Sequence, residues 1–462
     1  MFFAVATFVL ACLDGEAVGD GEVFIDRFLS CRGTICGLCV GQAKALMLLS
    51  SALLAMWRLG FFFHDMAFGL LTVFIPLYVV AFKNTSILGG PLLALGVMIS
   101  IAIFCSIPAS FLWGYLCDAT RHYKIFILLA FASIAAILFL MTLPFAKNLL
   151  VFVGLYVAMQ MLHVAHESPK NVLVTEHYSR DNWERTFGFY EGITELGTIV
   201  GLALGIVLFA SALSFSTLST YTFYVCSGLN VVGLILVILL VADPLLIFER
   251  RLVGIERKID YANRGIEGSS KLMDGLQWKG KLKEDSFAGF VMAIVLFSLA
   301  TSLFFTPLPI FLREGLGLST SWVYVAYILN SVGSTAGYFL IGKRAQSIDI
   351  RKQMPRFVLS RSIIIFALVG VILFGLSPTI MTGVLLIFIG FAYAMYYIMM
   401  ISLSMEVIPQ GKAGLFDGMV NLGSAIGAFF GPFLAFHLNY VPMFVVTALL
   451  FLVAYLALKL LR

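Results

Sequence analysis

Residues 188–205 read GFYEGITELGTIVGLALG, and residues 414–431 read GLFDGMVNLGSAIGAFFG. Aligned without a gap, the two stretches share five glycines and one leucine, and Glu191 of the first falls on Asp417 of the second. A glycine pattern repeated at fixed spacing inside two apolar segments indicates an internal duplication. The chain is therefore predicted to consist of two copies of one helical unit.

The composition places the chain in a membrane. Of its 462 residues, 61% are hydrophobic and only 12% are charged, and the mean hydropathy is +1.01. Soluble domains carry about 25% charged residues. The expected partner is therefore the lipid bilayer. No basic stripe occurs outside the loops that flank apolar segments, which argues against binding to nucleic acid.

Apolar segments of spanning length recur twelve times along the chain. They are predicted at 61–82, 90–114, 125–145, 149–174, 187–211, 220–242, 286–312, 321–342, 357–376, 381–404, 414–437 and 441–461. The fold class is thus an all-α membrane protein with twelve transmembrane helices in two six-helix pseudo-symmetric bundles. The predicted domains are an N-terminal extension at 1–57 of undetermined structure, bundles at 58–242 and 286–462, and a cytoplasmic linker at 243–285.

The positions of the basic residues predict the orientation. If both termini are cytoplasmic, most of the 30 lysines and arginines lie on the cytoplasmic side, and only Lys83, Lys147 and Arg313 lie outside. Such an excess is typical of cytoplasmic loops. We therefore expect a multi-pass protein of the cytoplasmic (cell) membrane that acts as a monomer.

The N-terminal extension holds three cysteines in a C-x4-C-x2-C arrangement, Cys31, Cys36 and Cys39. This spacing is similar to that of plant-type iron–sulfur proteins. Such a cluster needs a fourth thiolate, and the next cysteine, Cys105, lies in a predicted span. No metal site and no cofactor are therefore predicted. The apolar start lacks the basic segment of a signal peptide, and Met47 is an alternative translation start.

The loop between the second and third spans carries a family signature. Residues 114–124 read GYLCDATRHYK, which resembles the signature loop of the major facilitator superfamily at Gly114, Asp118, Arg121 and Lys124. The resemblance extends over about residues 58–462 and implies a secondary transporter. It also implies a conformational latch, in which Asp118 docks at the start of helix 11, near Asp417. The second-half copy, GKRAQSIDIRK at 342–352, has no aspartate at the position that matches Asp118, so the latch is expected to be one-sided.

The repeated glycine stretch is similar to the helix-5 antiporter motif of the same family. Leu202 stands where that motif has a proline. Glycines at four-residue spacing also serve close helix packing by themselves. The glycines to which we assign this packing role are Gly197, Gly201 and Gly205 in helix 5, and Gly423, Gly427 and Gly431 in helix 11.

Ionisable residues inside the first-half spans indicate a functional site, because a charge within a bilayer is costly. They include His64 and Lys170. Carboxylates and imidazoles can exchange protons inside a membrane protein. The predicted proton-coupling residues are Asp65, His163, His166, Glu167, Glu191 and Glu195. Two structural alternatives remain open: Glu167 and Lys170 neutralise each other, or Glu191 pairs with Arg121 at the interface.

The corresponding spans of the second half carry fewer ionisable residues and more hydroxyl and aromatic groups. They predict a substrate-binding wall formed by Thr301, Tyr393, Tyr396, Tyr397 and Asn421. In the alternative interpretation, the helix-10 tyrosines are packing residues.

The sequence thus predicts a secondary active transporter that moves a small organic solute by alternating access, as a proton-coupled exporter. One alternative is a proton-coupled importer of a small anionic metabolite, with Arg58, His166 and Lys170 as counter-charges. A second, from another class, is a non-transporting membrane sensor with the same fold. The sequence contains neither a complete phosphate-binding loop nor paired intramembrane aspartates, so neither an ATP-driven pump nor an enzyme is expected.

Overall fold

The computed structural model describes residues 58–82, 85, 89–120, 122–167, 169–170, 183–211, 214–241, 284–344, 350–375, 377–407 and 414–460. Within these ranges, twelve helices are long and apolar enough to cross a membrane. The predicted all-α fold with twelve spans is confirmed. The predicted extension at 1–57, with Cys31, Cys36 and Cys39, lies outside the described residues, as does most of the predicted linker.

The twelve helices form two bundles of six. The first bundle contains α1 (Arg58–Val80), α2 (Pro91–Thr120), α3 (Tyr123–Leu140), α4 (Leu149–His163), α5 (Trp183–Phe209) and α6 (Phe215–Leu240). The second contains α7 (Glu284–Phe305), α8 (Thr320–Arg344), α9 (Ile350–Phe374), α10 (Pro378–Val407), α11 (Gly414–Leu438) and α12 (Tyr440–Leu460). We call the face at which α6 ends and α7 begins the linker face, and the opposite one the far face.

The end of α4 differs from the prediction of one continuous helix over 149–174. The α-helix ends at His163 and a 3₁₀ turn follows at Val164–His166. The ring Nδ1 of His166 lies 2.6 Å from the carbonyl oxygen of His163. That oxygen is the acceptor that the Glu167 N–H would use in an α-helix, and the Glu167 N–H bonds to Val164 instead. A side chain therefore replaces one backbone bond and tightens the turn.

The repeated glycines lie where two helices touch through their backbones. A Cβ on Gly197 or Gly201 would collide with the carbonyl oxygens of Phe62 and Met66 on α1. On α11, a Cβ on Gly427 would collide with the carbonyl oxygen of Leu299 on α7. The fifth helix of each bundle thus packs against the first helix of the same bundle. The remaining assigned glycines also have close neighbours: Gly205 meets Tyr324, Gly423 meets Val295, and Gly431 meets Leu303.

The two bundles meet through α2 against α11 and α5 against α8. The Ser100 hydroxyl on α2 donates to the carbonyl oxygen of Ala425 on α11 over 2.8 Å. The Tyr324 hydroxyl on α8 donates to the carbonyl oxygen of Leu70 on α1 over 3.2 Å. Large apolar side chains such as Phe104 are exposed on the outer surface, as expected of a surface in contact with lipid.

Candidate functional site

A central cavity of about 560 Å³ lies between the two bundles. Four helices of the first bundle (α1, α2, α4 and α5) and four of the second (α7, α8, α10 and α11) contribute to its wall. This volume falls in the range of small-molecule sites. The cavity can therefore hold one small solute in contact with both bundles.

Hydroxyl and amide groups make up most of the polar wall. The polar lining residues are Thr72, Tyr156, Gln160, Glu195, Thr198, Thr301, Ser302, Thr306, Tyr327, Asn330, Ser331, Ser334, Tyr393 and Ser424. Among these described residues, Glu195 alone carries a carboxylate, ammonium, guanidinium or imidazole group. The cavity therefore presents many hydrogen-bonding groups and a single acid.

Glu195 lies on α5 at the boundary between the bundles. Its carboxylate lies near the Ser331 hydroxyl on α8. Both residues line the cavity. The predicted coupling residue Glu195 thus reaches the space in which a solute would bind, and it faces the opposite bundle there.

The other predicted coupling carboxylates cluster nearer the linker face, around Lys170. Its ammonium lies 2.5 Å from one oxygen of Glu167 and 3.6 Å from one oxygen of Glu191. Asp65 on α1 interacts electrostatically with Glu191 and Lys170. Lys170 is buried, so the two carboxylates offset a cation that would otherwise be costly in the interior. The alternative that Glu167 and Lys170 neutralise each other therefore has direct geometric support.

Three imidazoles lie beside this network. His64 on α1 is fully buried, and its Nε2 lies 3.3 Å from Nδ1 of His163. Nδ1 of His64 lies 2.7 Å from the side-chain oxygen of Asn230 on α6. His166 is joined to Glu167 by a 3.4 Å contact between Nε2 and a carboxylate oxygen. The sequence interpretation did not identify Asn230, although an asparagine within an apolar span is a detectable signal.

Arg361 is the most prominent residue that the sequence interpretation missed. It lies on α9 and is 0% exposed. One guanidinium nitrogen donates to the Thr301 hydroxyl over 2.9 Å. Its Nε and Nη2 atoms have no hydrogen-bond partner among the described residues. The available signal was an arginine between two serines, Ser360 and Ser362, inside an apolar span.

Aromatic rings surround the Arg361 guanidinium. Its central carbon lies 4.7 Å from the ring centre of Phe451, 5.0 Å from Phe297 and 5.3 Å from Tyr393. Cation–π attraction offsets part of the cost of desolvating the cation. Thr301 and Tyr393 also line the central cavity, so Arg361 lies directly behind the cavity wall.

The predicted substrate-binding residues are distributed over two cavities. Thr301 and Tyr393 line the central one, whereas Tyr396 and Tyr397 line an adjacent cavity of about 60 Å³. Asn421 is half-buried on α11 and is not among the described residues that line either cavity. The structure therefore brings four of the five residues to cavity walls, and only two of them to the large one.

The predicted latch residues are only partly described. Gly114 is buried on α2, and Asp417 is half-buried in the first turn of α11. The side chain of Asp118 and the whole of Arg121 lie outside the described residues, and the open pairing of Glu191 with Arg121 falls there too. The Lys124 ammonium donates to the carbonyl oxygen of Ile238 on α6 over 2.8 Å. Lys124 therefore has a partner within its own bundle.

Two six-helix bundles around a central polar cavity define a multi-pass membrane transporter of the parallel-repeat class. A family profile for the Major Facilitator Superfamily matches residues 57–416. The chain belongs to the major facilitator superfamily.

Solved transporters share the fold at low sequence identity. A D-xylose–proton symporter is 17% identical with a TM-score of 0.64, over 88% of this chain and 96% of that one. The xylose transporter XylE from E. coli, in a partially occluded inward-open conformation, is 15% identical with a TM-score of 0.62, over 87% and 96%. The human organic anion transporter MFSD10 (TETRAN) is 14% identical with a TM-score of 0.62, over 88% and 98%. No curated protein matches this chain.

Proposed function

We propose that this protein is a proton-coupled exporter of a small organic solute, with Glu195 as the residue that exchanges the proton. The observation that carries the proposal is the position of Glu195 in the wall of the central cavity, beside Ser331 of the other bundle. We further propose that it acts as a monomer in the cytoplasmic membrane, with the linker face toward the cytoplasm.

Competition at one carboxylate favours export over import. A solute that donates a hydrogen bond to Glu195 needs the deprotonated carboxylate, so the solute and the proton exclude each other there. Mutually exclusive binding makes each half-cycle carry either the proton or the solute. An inward proton gradient then moves the solute outward. Because Glu195 faces Ser331 on α8, its protonation state also changes the electrostatic interaction between the two bundles that must rock against each other.

Proteoliposomes test this coupling. A thermal-shift panel of small organic solutes on the purified protein first selects a ligand, because a ligand that binds only the folded state raises the apparent stability. Solute and proton movements are then followed under an imposed pH gradient, with a pH-sensitive dye inside the vesicles. Glu195→Gln should abolish gradient-driven movement and leave solute-for-solute exchange intact.

Glu314→Gln is the matched control, because Glu314 is an exposed carboxylate near the far face. It should leave driven transport unchanged. Undiminished driven transport by Glu195→Gln would contradict the role of Glu195. Absence of both driven transport and exchange for every selected ligand would favour the non-transporting sensor.

A second candidate function, import of a small anionic metabolite with protons, is favoured by Arg361. Its buried guanidinium has two nitrogens without a hydrogen-bond partner among the described residues, directly behind Thr301. By contrast, Lys170, one of the counter-charges expected for an anion, is already engaged by Glu167 and Glu191. In this case the solute moves with the proton flow, and Arg361→Gln weakens binding of anionic ligands more than that of neutral ones.

A further inference from the structure

Three histidines from two helices converge at one buried point of the first bundle. One ring nitrogen from each of His64, His163 and His166 lies within 4.8 Å of the other two. We propose that these three imidazoles form a binding site for a transition-metal ion of the zinc type. Imidazole nitrogen suits zinc, copper, iron and nickel, whereas magnesium and calcium require oxygen ligands.

Hydrogen bonds fix the protonation of two of the three rings in the form that a metal requires. The side-chain nitrogen of Asn230 donates to the carbonyl oxygen of Cys226 over 2.8 Å, so its oxygen faces Nδ1 of His64. Nδ1 of His64 therefore carries the proton, and the lone pair of Nε2 is directed toward His163. His166 likewise donates from Nδ1 to the carbonyl oxygen of His163. Such partners behind the ligands orient metal-binding histidines in known sites.

The spacing of the nitrogens agrees with metal coordination. Two nitrogens bound at 2.0–2.1 Å in tetrahedral geometry lie about 3.4 Å apart. Nε2 of His64 and Nδ1 of His163 lie 3.3 Å apart. The third nitrogen, on His166, lies within 4.8 Å of the other two and must move closer to reach the same separation. The 3₁₀ turn at Val164–His166 places it on the same side as His163.

The surroundings suit a dehydrated cation. The ring of Phe131 stacks on His64 at 4.3 Å, and the ring of Phe68 stacks on His163 at 4.3 Å. One oxygen of Glu167 lies 3.4 Å from Nε2 of His166 and is available as a fourth ligand. The neighbouring cation, Lys170, contacts the other oxygen of Glu167 and one oxygen of Glu191.

A bound ion has a defined consequence for the transporter. It joins α1 to the end of α4 within the first bundle, and the bundles can still rock as rigid bodies. It also occupies the lone pairs through which His163 and His166 would accept protons. The two histidines then serve as metal ligands, and proton coupling falls to carboxylates outside this site.

Cobalt titration of the purified full-length protein tests the site. After chelator treatment, Co²⁺ should bind at one ion per chain and produce the intense visible absorption of four-coordinate cobalt, and Zn²⁺ should displace it. Mg²⁺ should not compete. Absence of saturable Co²⁺ absorption in the wild type would overturn the proposal without any variant.

Variants locate the ion. His64→Ala and His163→Ala should each lower the affinity at least 100-fold. Asn230→Ala keeps all three ligands and should weaken binding about 10–100-fold, the usual effect of removing a partner behind a ligand. His437→Ala, at an exposed histidine on α11, should bind as the wild type does. Unchanged cobalt binding by both His64→Ala and His163→Ala would place the ion elsewhere.

Discussion

The two bundles carry corresponding clusters with opposite chemistry. In the first bundle, α1, α3, α4 and α6 contribute His64, Phe131, His163 and Asn230, which we call the first-bundle cluster. In the second, α7, α9, α10 and α12 contribute Phe297, Arg361, Tyr396 and Phe451, the second-bundle cluster. In both, the residue from the first helix of the bundle touches the other three.

The two bundles share their helix packing and differ in their polar chemistry. The helices that meet are the same in both bundles. In the first-bundle cluster, the rings of His64 and Phe131 stack at 4.3 Å with an interplanar angle of 4°, and each nitrogen of His64 has a polar neighbour, Asn230 for Nδ1 and His163 for Nε2. The second-bundle cluster surrounds a permanent cation with rings and leaves two of its nitrogens unpaired among the described residues. Packing has therefore been retained while the polar chemistry has diverged.

The largest effect should come from reversing the charge of the second-bundle cluster. Arg361→Glu places a carboxylate against the negative ring faces that now attract the guanidinium. An uncompensated buried charge costs about 3–5 kcal/mol, so we expect a loss of this size in the free energy of unfolding, measured by SDS titration of the purified protein.

Arg361→Met is the matched control, because it keeps the length of the side chain and removes the charge. Replacing a buried charge by an apolar side chain of similar volume is often neutral or stabilising by about 1–4 kcal/mol. If Arg361→Glu is as stable as the wild type, water must reach the second-bundle cluster.

A medium loss of stability, equal in the two bundles, should follow from adding a Cβ to the glycines at the helix contacts. Gly201→Ala should push α5 away from α1, and Gly427→Ala should push α11 away from α7, because the added Cβ meets a backbone carbonyl oxygen in each case. Overpacking of this kind costs about 1–3 kcal/mol. Gly154→Ala and Gly370→Ala are controls with no neighbour within 4 Å of the added Cβ. A loss confined to one bundle would contradict the equivalence of the two packing contacts.

Hydropathy and the repeat were sufficient to predict the fold. Each span needs about twenty apolar residues, which leaves a strong signal in the sequence. The glycine stretch identified the duplicated unit before any contact was known. Glu195 was among the predicted coupling residues because an acid deep in a span is rare. The end of α4 was mispredicted, since the 3₁₀ turn depends on the His166 ring competing for a backbone carbonyl.

The sequence could not predict which residues of the site pair with each other. His64 and Asn230 lie 166 residues apart in the chain, and no local pattern pairs an imidazole with a particular amide. Arg361 was missed for another reason. It lies inside the predicted span 357–376, but it follows a run of basic residues, Arg351, Lys352 and Arg356, and was counted with them as a cytoplasmic positive charge. The polar run at 360–362 inside this span was the overlooked signal.

The smallest effect on stability should come from a substitution of Tyr396. This substitution tests whether the tyrosine is a packing residue or contacts the solute. Its hydroxyl is buried without a hydrogen-bond partner among the described residues, and its ring stacks on Phe297 at 3.5 Å. Tyr396→Phe keeps the stacking and removes a polar atom whose burial is uncompensated. The free energy of unfolding should therefore stay within about 1 kcal/mol of the wild type, with an increase favoured.

A ligand-binding role for Tyr396 makes a different prediction. If the hydroxyl contacts the solute, Tyr396→Phe weakens binding of the ligand selected by thermal shift, by about 0.5–1.5 kcal/mol for one hydrogen bond. Tyr393→Phe is the matched comparison, because Tyr393 lines the large cavity. Weaker binding with Tyr393→Phe alone would make Tyr396 a packing residue. Equal weakening with both would extend the solute site into the small cavity and place the second-bundle cluster in contact with the solute.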